Sequence, residues 1–170
     1  LSMVDFLGYE PDQFVAEKTA REMARAAYRR ALRLREGSSP VLGLGCTATI
    51  ATDRPKRGEH RGFVATWDQA RVATYNLRLA KGHRDRAGEE EVVSRLVVQA
   101  LAQACEIEVE PDLGLTSADQ ITSRRRDHGN PLERLLAGEA GTVTVDGDGR
   151  MVVDAPVPAA LLPGSFNPFH

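Results

Sequence analysis

Aromatic residues are scarce: the 170-residue chain holds five Phe, three Tyr and one Trp. Its core must therefore be mainly aliphatic. Cysteine is nearly absent too. Cys46 and Cys105 are too few for a disulfide framework, and they read as two reduced thiols of a cytosolic protein. No apolar run approaches the roughly 18–20 residues that span a bilayer. No basic-then-apolar signal peptide opens the chain. Neither sign of charge dominates: the net charge is -2, which gives no global pull toward nucleic acid or membrane. His83 and His128 have no Cys or His partners at metal-ligand spacing, so no metal site is expected. Internal repeats and low-complexity tracts are lacking. These absences read as those of a soluble, cytoplasmic protein.

At 42% hydrophobic and 27% charged, the chain has the composition of an ordinary globular domain with a real core. "LSMVDFL" reads as the last turns of a helix without a visible N-cap, closed by Gly8. Residues 15–34 predict a helix with Ala20, Met23, Ala24, Ala27, Tyr28, Ala31 and Leu34 on one face. Arg21, Arg25, Arg29 and Arg33 fall opposite. "VLGLGC" (41–46) is a short buried strand, and the segment from Thr47 to His60 a polar, basic loop. Strands at 62–66 and 71–79 form an antiparallel hairpin around "WDQA". On the second, Val72, Thr74, Asn76 and Arg78 alternate with Ala73, Tyr75, Leu77 and Leu79. A second long helix covers 88–105, with Glu89, Glu90 and Glu91 in its first turn. Arg124–Arg126 read as a flexible surface segment; RNA binding would need aromatics interleaved with these cations, and none are there. Then come a short helix at 131–137 with Pro131 at N1, the hairpin "TVTVDGDGRMVVD", and a last short strand in "ALLPGSF". The sum is an α/β fold: a three-layer α/β/α domain with a mixed sheet, plus a small C-terminal αββ appendix.

The chemistry concentrates between Gly43 and Arg61, "GLGCTATIATDRPKRGEHR". Gly43 and Gly45 permit close approach or positive φ at a strand end, where α/β sheets place ligands. Cys46, Thr47 and Thr49 supply a thiol and two hydroxyls. Arg54, Lys56, Arg57, His60 and Arg61 gather cations that suit phosphate or carboxylate. The pattern is that of an anion-binding loop for a phosphorylated small molecule, and equally that of a plain turn followed by a solvated basic loop. Cys46 as a nucleophile would need a base, and His60 is the nearest candidate.

From "DFLGYEPDQF" through "TAREMARAAYRRAL" and "VLGLGCTATIATDRPKRGEHRGFVAT" to "GEEEVVSRLVVQAL", roughly residues 4–107, the chain resembles the CinA C-terminal domain family. "LGCTA" (44–48) stands at the family's Thr-Gly position, with Gly45 as the matching glycine. "DRPKRGEHRGFVA" stands where a Lys-Pro-rich stretch leads into the next strand. The family's enzymes are nicotinamide-nucleotide amidohydrolases. Their Ser-Cys-Thr-Gly-Gly nucleophile motif would precede everything present here, and their tyrosine and lysine have no counterpart. The resemblance thus implies nucleotide binding around Gly45, Thr47 and 54–61, without amidohydrolase activity in this form.

The final "LLPGSFNPFH" resembles the first motif of HxGH-type nucleotidylyltransferases, with Gly164, Ser165, Phe166, Asn167, Pro168 and His170 matching. In that family the motif cradles nucleotide phosphates, and the histidines stabilise charge on the transferred phosphate. The resemblances together imply three regions: a CinA-like domain over 1–110, lacking its N-terminal part; a helix–hairpin extension over 111–158; and the start of a nucleotidylyltransferase domain over 159–170. Both ends then read as cut edges of a longer fusion. No cofactor is expected in this chain; ATP or CTP with Mg would serve only a complete transferase domain, in which His170 would be catalytic. The expected partner is a nucleotide such as nicotinamide mononucleotide, with no nucleic acid and no membrane. Two alternatives remain open: a nucleotidylyltransferase active only at full length, or a non-enzymatic domain that forms a homo-oligomer.

Overall fold

Ser2 begins the first helix. Its hydroxyl accepts from the Asp5 N–H, and Asp5 reaches back to the Ser2 N–H, so α1 (Met3–Leu7) opens on a capping box. The helix therefore has the N-cap that the sequence reading missed, and Gly8 closes it at positive φ. The computed structural model describes residues 2–36, 39–52, 57–109, 111–145 and 149–155.

Helix α2 (Glu17–Leu34) buries Ala20, Ala24, Tyr28 and Leu32, one residue per turn of a single stripe. Helix α3 (Arg86–Ala104) starts at Asp85, whose side chain accepts from the Gly88 N–H. It buries Val92, Val93, Leu96 and Ala100. Between and after these helices lie β1 (Gly43–Thr49), β2 (His60–Trp67), β3 (Arg71–Leu79) and β4 (Gln120–Asp127). They form one sheet in the order β1-β2-β3-β4, antiparallel at every pairing.

Two expectations are corrected here. The α/β class stands, but the sheet is antiparallel rather than mixed. The chain doubles back after α3: Arg95 donates to the Asp112 carbonyl and Arg84 to the Gly114 carbonyl, drawing the connection toward the start of the helix. β4 therefore enters beside the end of β3 and runs against it. In addition, Arg124–Arg126 are not a loose surface segment but the middle of β4, and the sheet takes in residues beyond 110. β4 is an edge strand exposed along its whole length. Charged side chains on such an edge discourage further strand pairing, which is why an apolar pattern did not reveal it.

The two long helices lie against opposite faces. Gly43 and Gly45 face α2 at backbone contact: a Cβ on Gly43 would fall 1.9 Å from the Ala24 carbonyl oxygen, and one on Gly45 would fall 2.2 Å from that of Ala20. Alternate residues point the other way. Cys46, Val64, Tyr75 and Leu77 pack with Val92, Val93, Leu96 and Ala100 of α3 into the main aliphatic core.

The αββ appendix is present as α4 (Pro131–Leu136), β5 (Val143–Val145) and β6 (Met151–Val153), with Pro131 at the helix start and β5 antiparallel to β6. It docks around Trp67. Arg25 and Arg134 both lie over the indole, each 5.8 Å from its centroid, and the His128 ring stacks at 4.4 Å. Burial and the neighbouring Arg134 push the His128 imidazole below its ordinary pKa.

Asp119 joins the end of β3 to the start of β4. Its fully buried carboxylate accepts from the Ala80 and Thr116 N–H groups, the Thr116 hydroxyl and the Arg84 guanidinium, all within 2.9 Å. Burial alone would raise its pKa; Arg84 and the other donors outweigh that and hold it well below the carboxylate range. The stabilisation is therefore complete above the unfolded pKa of about 3.9 and is lost as pH falls through the lower folded value. Asp119→Asn should destabilise the protein by on the order of 2 kcal/mol at pH 7. Urea titrations should show wild type losing that advantage below about pH 4. Gly45→Ala, which drives a methyl into the α2 backbone, should lower stability by on the order of 3 kcal/mol in the same assay.

Candidate functional site

Strand geometry divides the residues singled out between Gly43 and Arg61. Gly43 opens β1 and Gly45 lies inside it, so neither is at the strand's carboxyl end; both are buried and make room for α2. The strand runs on to Thr49, so Thr47 and Thr49 belong to it rather than to a loop. Side chains alternate along β1 and β2, which puts Thr47, Thr49 and Arg61 on the α2 face and Cys46 and His60 on the α3 face. Arg57 is exposed, and its carbonyl accepts from Lys81. Arg54, Lys56, Gly164, Ser165, Phe166, Asn167, Pro168 and His170 lie outside the described residues. The described cations thus do not converge on one loop.

On the α3 face, His60 is held by Glu89. The carboxylate is fully buried; one oxygen sits 2.7 Å from His60 Nδ1, and the other accepts from the Ala51 N–H at 2.7 Å. Glu89 therefore fastens the end of β1 to the start of β2 from the first turn of α3. The Cys46 thiol sits two β1 residues before Ala48, packed against the aliphatic core, and burial pushes its pKa up. No base faces it. A nucleophilic role has no support in this arrangement.

The α2 face gathers the rest. Antiparallel register puts Thr47, Phe63, Asn76 and Thr122 in one row across the four strands. The next row is Thr49, Arg61, Arg78 and Gln120. Arg61, Phe63, Asn76, Arg78, Gln120 and Thr122 line a concavity of about 290 Å³. The Arg61 guanidinium lies 5.6 Å from the Phe63 ring centroid and donates to the Val15 carbonyl at 3.2 Å. That carbonyl immediately precedes α2, whose N-cap, Ala16, supplies no side-chain acceptor. Gly43 faces Ala24 and Tyr28, and Gly45 faces Ala20 and Ala24. Two strand residues advance about as far as one helical turn, so Thr47 comes level with the first turn of α2. Its N–H groups have no intrahelical acceptors.

Two polar atoms here are left over. The Thr47 hydroxyl, in a residue only 5% exposed, has no hydrogen-bond partner, and neither does Asn76 Oδ1. An unsatisfied buried polar group costs roughly 1–3 kcal/mol. Asn76 Nδ2 is engaged, donating to Glu17 at 2.6 Å. Glu17 thereby occupies the β3 side of the helix end.

Phe63, Asn76, Thr122 and Gln120 were missed as site residues. The alternation of Val72, Thr74, Asn76 and Arg78 already marked one polar face of β3. What joins that face to Thr47 is the β1–β2–β3 register, set by chain connections rather than by any local motif.

The chain matches no family model, no curated protein and no solved structure. No group of three or more metal-ligating side chains occurs among the described residues, and no described helix is long and apolar enough to cross a membrane. Both cysteines are free; Cys105 is exposed and Cys46 is not. Under native conditions a thiol reagent should label Cys105 rapidly and Cys46 more slowly. Fast labelling of both, read by mass spectrometry, would contradict the half-buried, core-packed environment of Cys46.

Proposed function

We propose that this chain is a CinA-like, three-layer domain of a nucleotide-metabolism protein, and that it binds a phosphorylated nucleotide, such as nicotinamide mononucleotide, on the α2 face of its sheet. The observation that carries this reading is the buried, unpartnered hydroxyl of Thr47 beside the open start of α2. A phosphate there accepts from that hydroxyl, from Thr49, and from the N–H groups of the first helical turn, where the helix dipole favours negative charge. Arg61 adds a charge-assisted bond. Phe63 offers an apolar surface within the concavity that Arg61 also lines, and Asn76 and Gln120 offer amides to the polar edges of a base. These groups bind and orient the ligand.

The transferase reading rests on the 164–170 motif alone, with ATP or CTP and Mg as its expected co-substrate and metal at full length. The oligomerisation reading draws on Val98 and Leu101, which leave 54% and 43% of their surface exposed one turn apart on α3. Sedimentation of the isolated chain tests that second reading directly.

Saturating nicotinamide mononucleotide should raise the melting temperature of the folded chain, and the shift should shrink as salt is added. Thr47→Val and Arg61→Ala should each weaken binding by about tenfold, equivalent to roughly 1.4 kcal/mol. No shift from the nucleotide in a sample shown to be folded removes the proposal.

A further inference from the structure

Strand β4 ends the sheet, and among the described residues no strand lies beyond it. Its pairing phase says which of its backbone groups are free. The His128 N–H donates to the Ala70 carbonyl at 2.8 Å, one step past the end of the β3–β4 ladder. Across β3, the Asp68 N–H donates to the Arg71 carbonyl at 3.0 Å, so Arg71 turns its backbone toward β2. Along an antiparallel strand, successive residues bond to opposite sides. Thr122, Arg124 and Arg126 therefore bond to β3, while Ile121, Ser123, Arg125 and Asp127 turn N–H and C=O to the open edge. Every residue of β4 is exposed. Such a row is a template for one more strand.

The side chains select what can take that place. Arg124 and Arg126 stand on the α2 face and Arg125 on the α3 face, so cations flank the edge on both sides of the sheet. None of these arginines has a carboxylate within 4 Å among the described residues. The acids nearby are committed or out of reach. Asp119 is held by Arg84 and Glu106 by Arg71. Glu108 borders a cavity with Arg125 but forms no ion pair with it. A second copy laid antiparallel on this edge, centred on Arg124 or Arg125, sets guanidinium against guanidinium, and like charges directly opposite are unfavourable. A strand with a carboxylate opposite each arginine meets opposite charge on both faces.

We propose that β4 is a docking edge for an extended acidic segment of a partner protein, which adds to the sheet as one more antiparallel strand. The outward backbone groups supply the hydrogen bonds of such an addition. The arginines supply the selection: they attract an acidic strand and repel a basic one. The cations that guard the edge against indiscriminate pairing thereby name the partner it accepts. This proposal does not depend on the nucleotide reading.

Fluorescence anisotropy at low salt tests it, using the whole chain and a dye-labelled peptide, Thr-Val-Glu-Glu-Glu-Val-Thr. Two control peptides carry glutamine or lysine in place of the glutamates. The acidic peptide should bind at least about tenfold tighter than the glutamine peptide, and the lysine peptide should not bind. With the central glutamate opposite Arg125, the second, fourth and sixth peptide residues turn their N–H groups to β4. N-methylation there should abolish binding, whereas N-methylation of the third and fifth residues should leave it unchanged. Replacing the arginines together, Arg124→Gln, Arg125→Gln and Arg126→Gln, should remove the preference for acid. Ser123→Pro deletes an N–H that faces the open edge and none bonded to β3, so it should abolish binding while the sheet persists. A circular-dichroism melt checks that each variant folds. No binding of the acidic peptide at about 1 mM, or no preference for acid over glutamine, overturns the proposal. Equal affinity for the two methylated peptides overturns it too, and assigns the arginines to plain polyanion attraction, as for a nucleic-acid strand. A dimer in sedimentation that Ser123→Pro dissociates overturns it in favour of a second copy on this edge.

Discussion

The contact of α2 with the glycines of β1 governs the rest of this structure. Without side chains at Gly43 and Gly45, helix backbone and strand backbone meet directly. Such close approach fixes the helix along β1 and β2, where Ala20, Ala24 and Ala65 complete a seam of small residues. It brings the open start of α2 level with Thr47. It also keeps the helix nearer β1 and β2 than the outer strands, so that β4 stays exposed along its length. A wider helix–sheet spacing, such as larger side chains would impose, would close neither the core nor the site in this way.

Strand alternation then decides what each neighbour in sequence can do. His60 and Arg61 are adjacent cations in the sequence with opposite fates. His60 turns inward to Glu89, and the pair fastens two strand ends to α3. Arg61 turns to the α2 face, where it covers Phe63 and reaches the chain just before the helix. A basic cluster in one dimension becomes one structural tie and one available donor. The same rule splits "SRRR" in β4: Arg124 and Arg126 share the sheet face on which α2 lies, while Arg125 points toward Tyr75 and α3.

The helices were the most legible elements. The Ala-rich stripe of α2 and the Val–Leu stripe of α3 carry their period openly, and their ends agree with the expected ones to within two residues. The hairpin around "WDQA" and the αββ order were equally readable. β4 was not, because an exposed edge strand has no apolar face to show. Of the two uses read for the glycines, close approach and positive φ, the first holds: they admit α2, not a ligand. The site was half legible. Thr47, Thr49 and Arg61 were named from chemistry, whereas Phe63, Asn76, Gln120 and Thr122 became part of it only through register.

The sequence by itself determined the local elements, the aliphatic core and the presence of hydroxyls and cations near a glycine-bearing strand, because these follow from short-range periodicity and side-chain chemistry. Only the tertiary structure decided which of them face one another. Antiparallel pairing over 60 to 127, the return of the chain along α3 and the seating of α2 on bare backbone are all long-range events. They depend on how surfaces tens of residues apart fit, and no window of sequence contains that information.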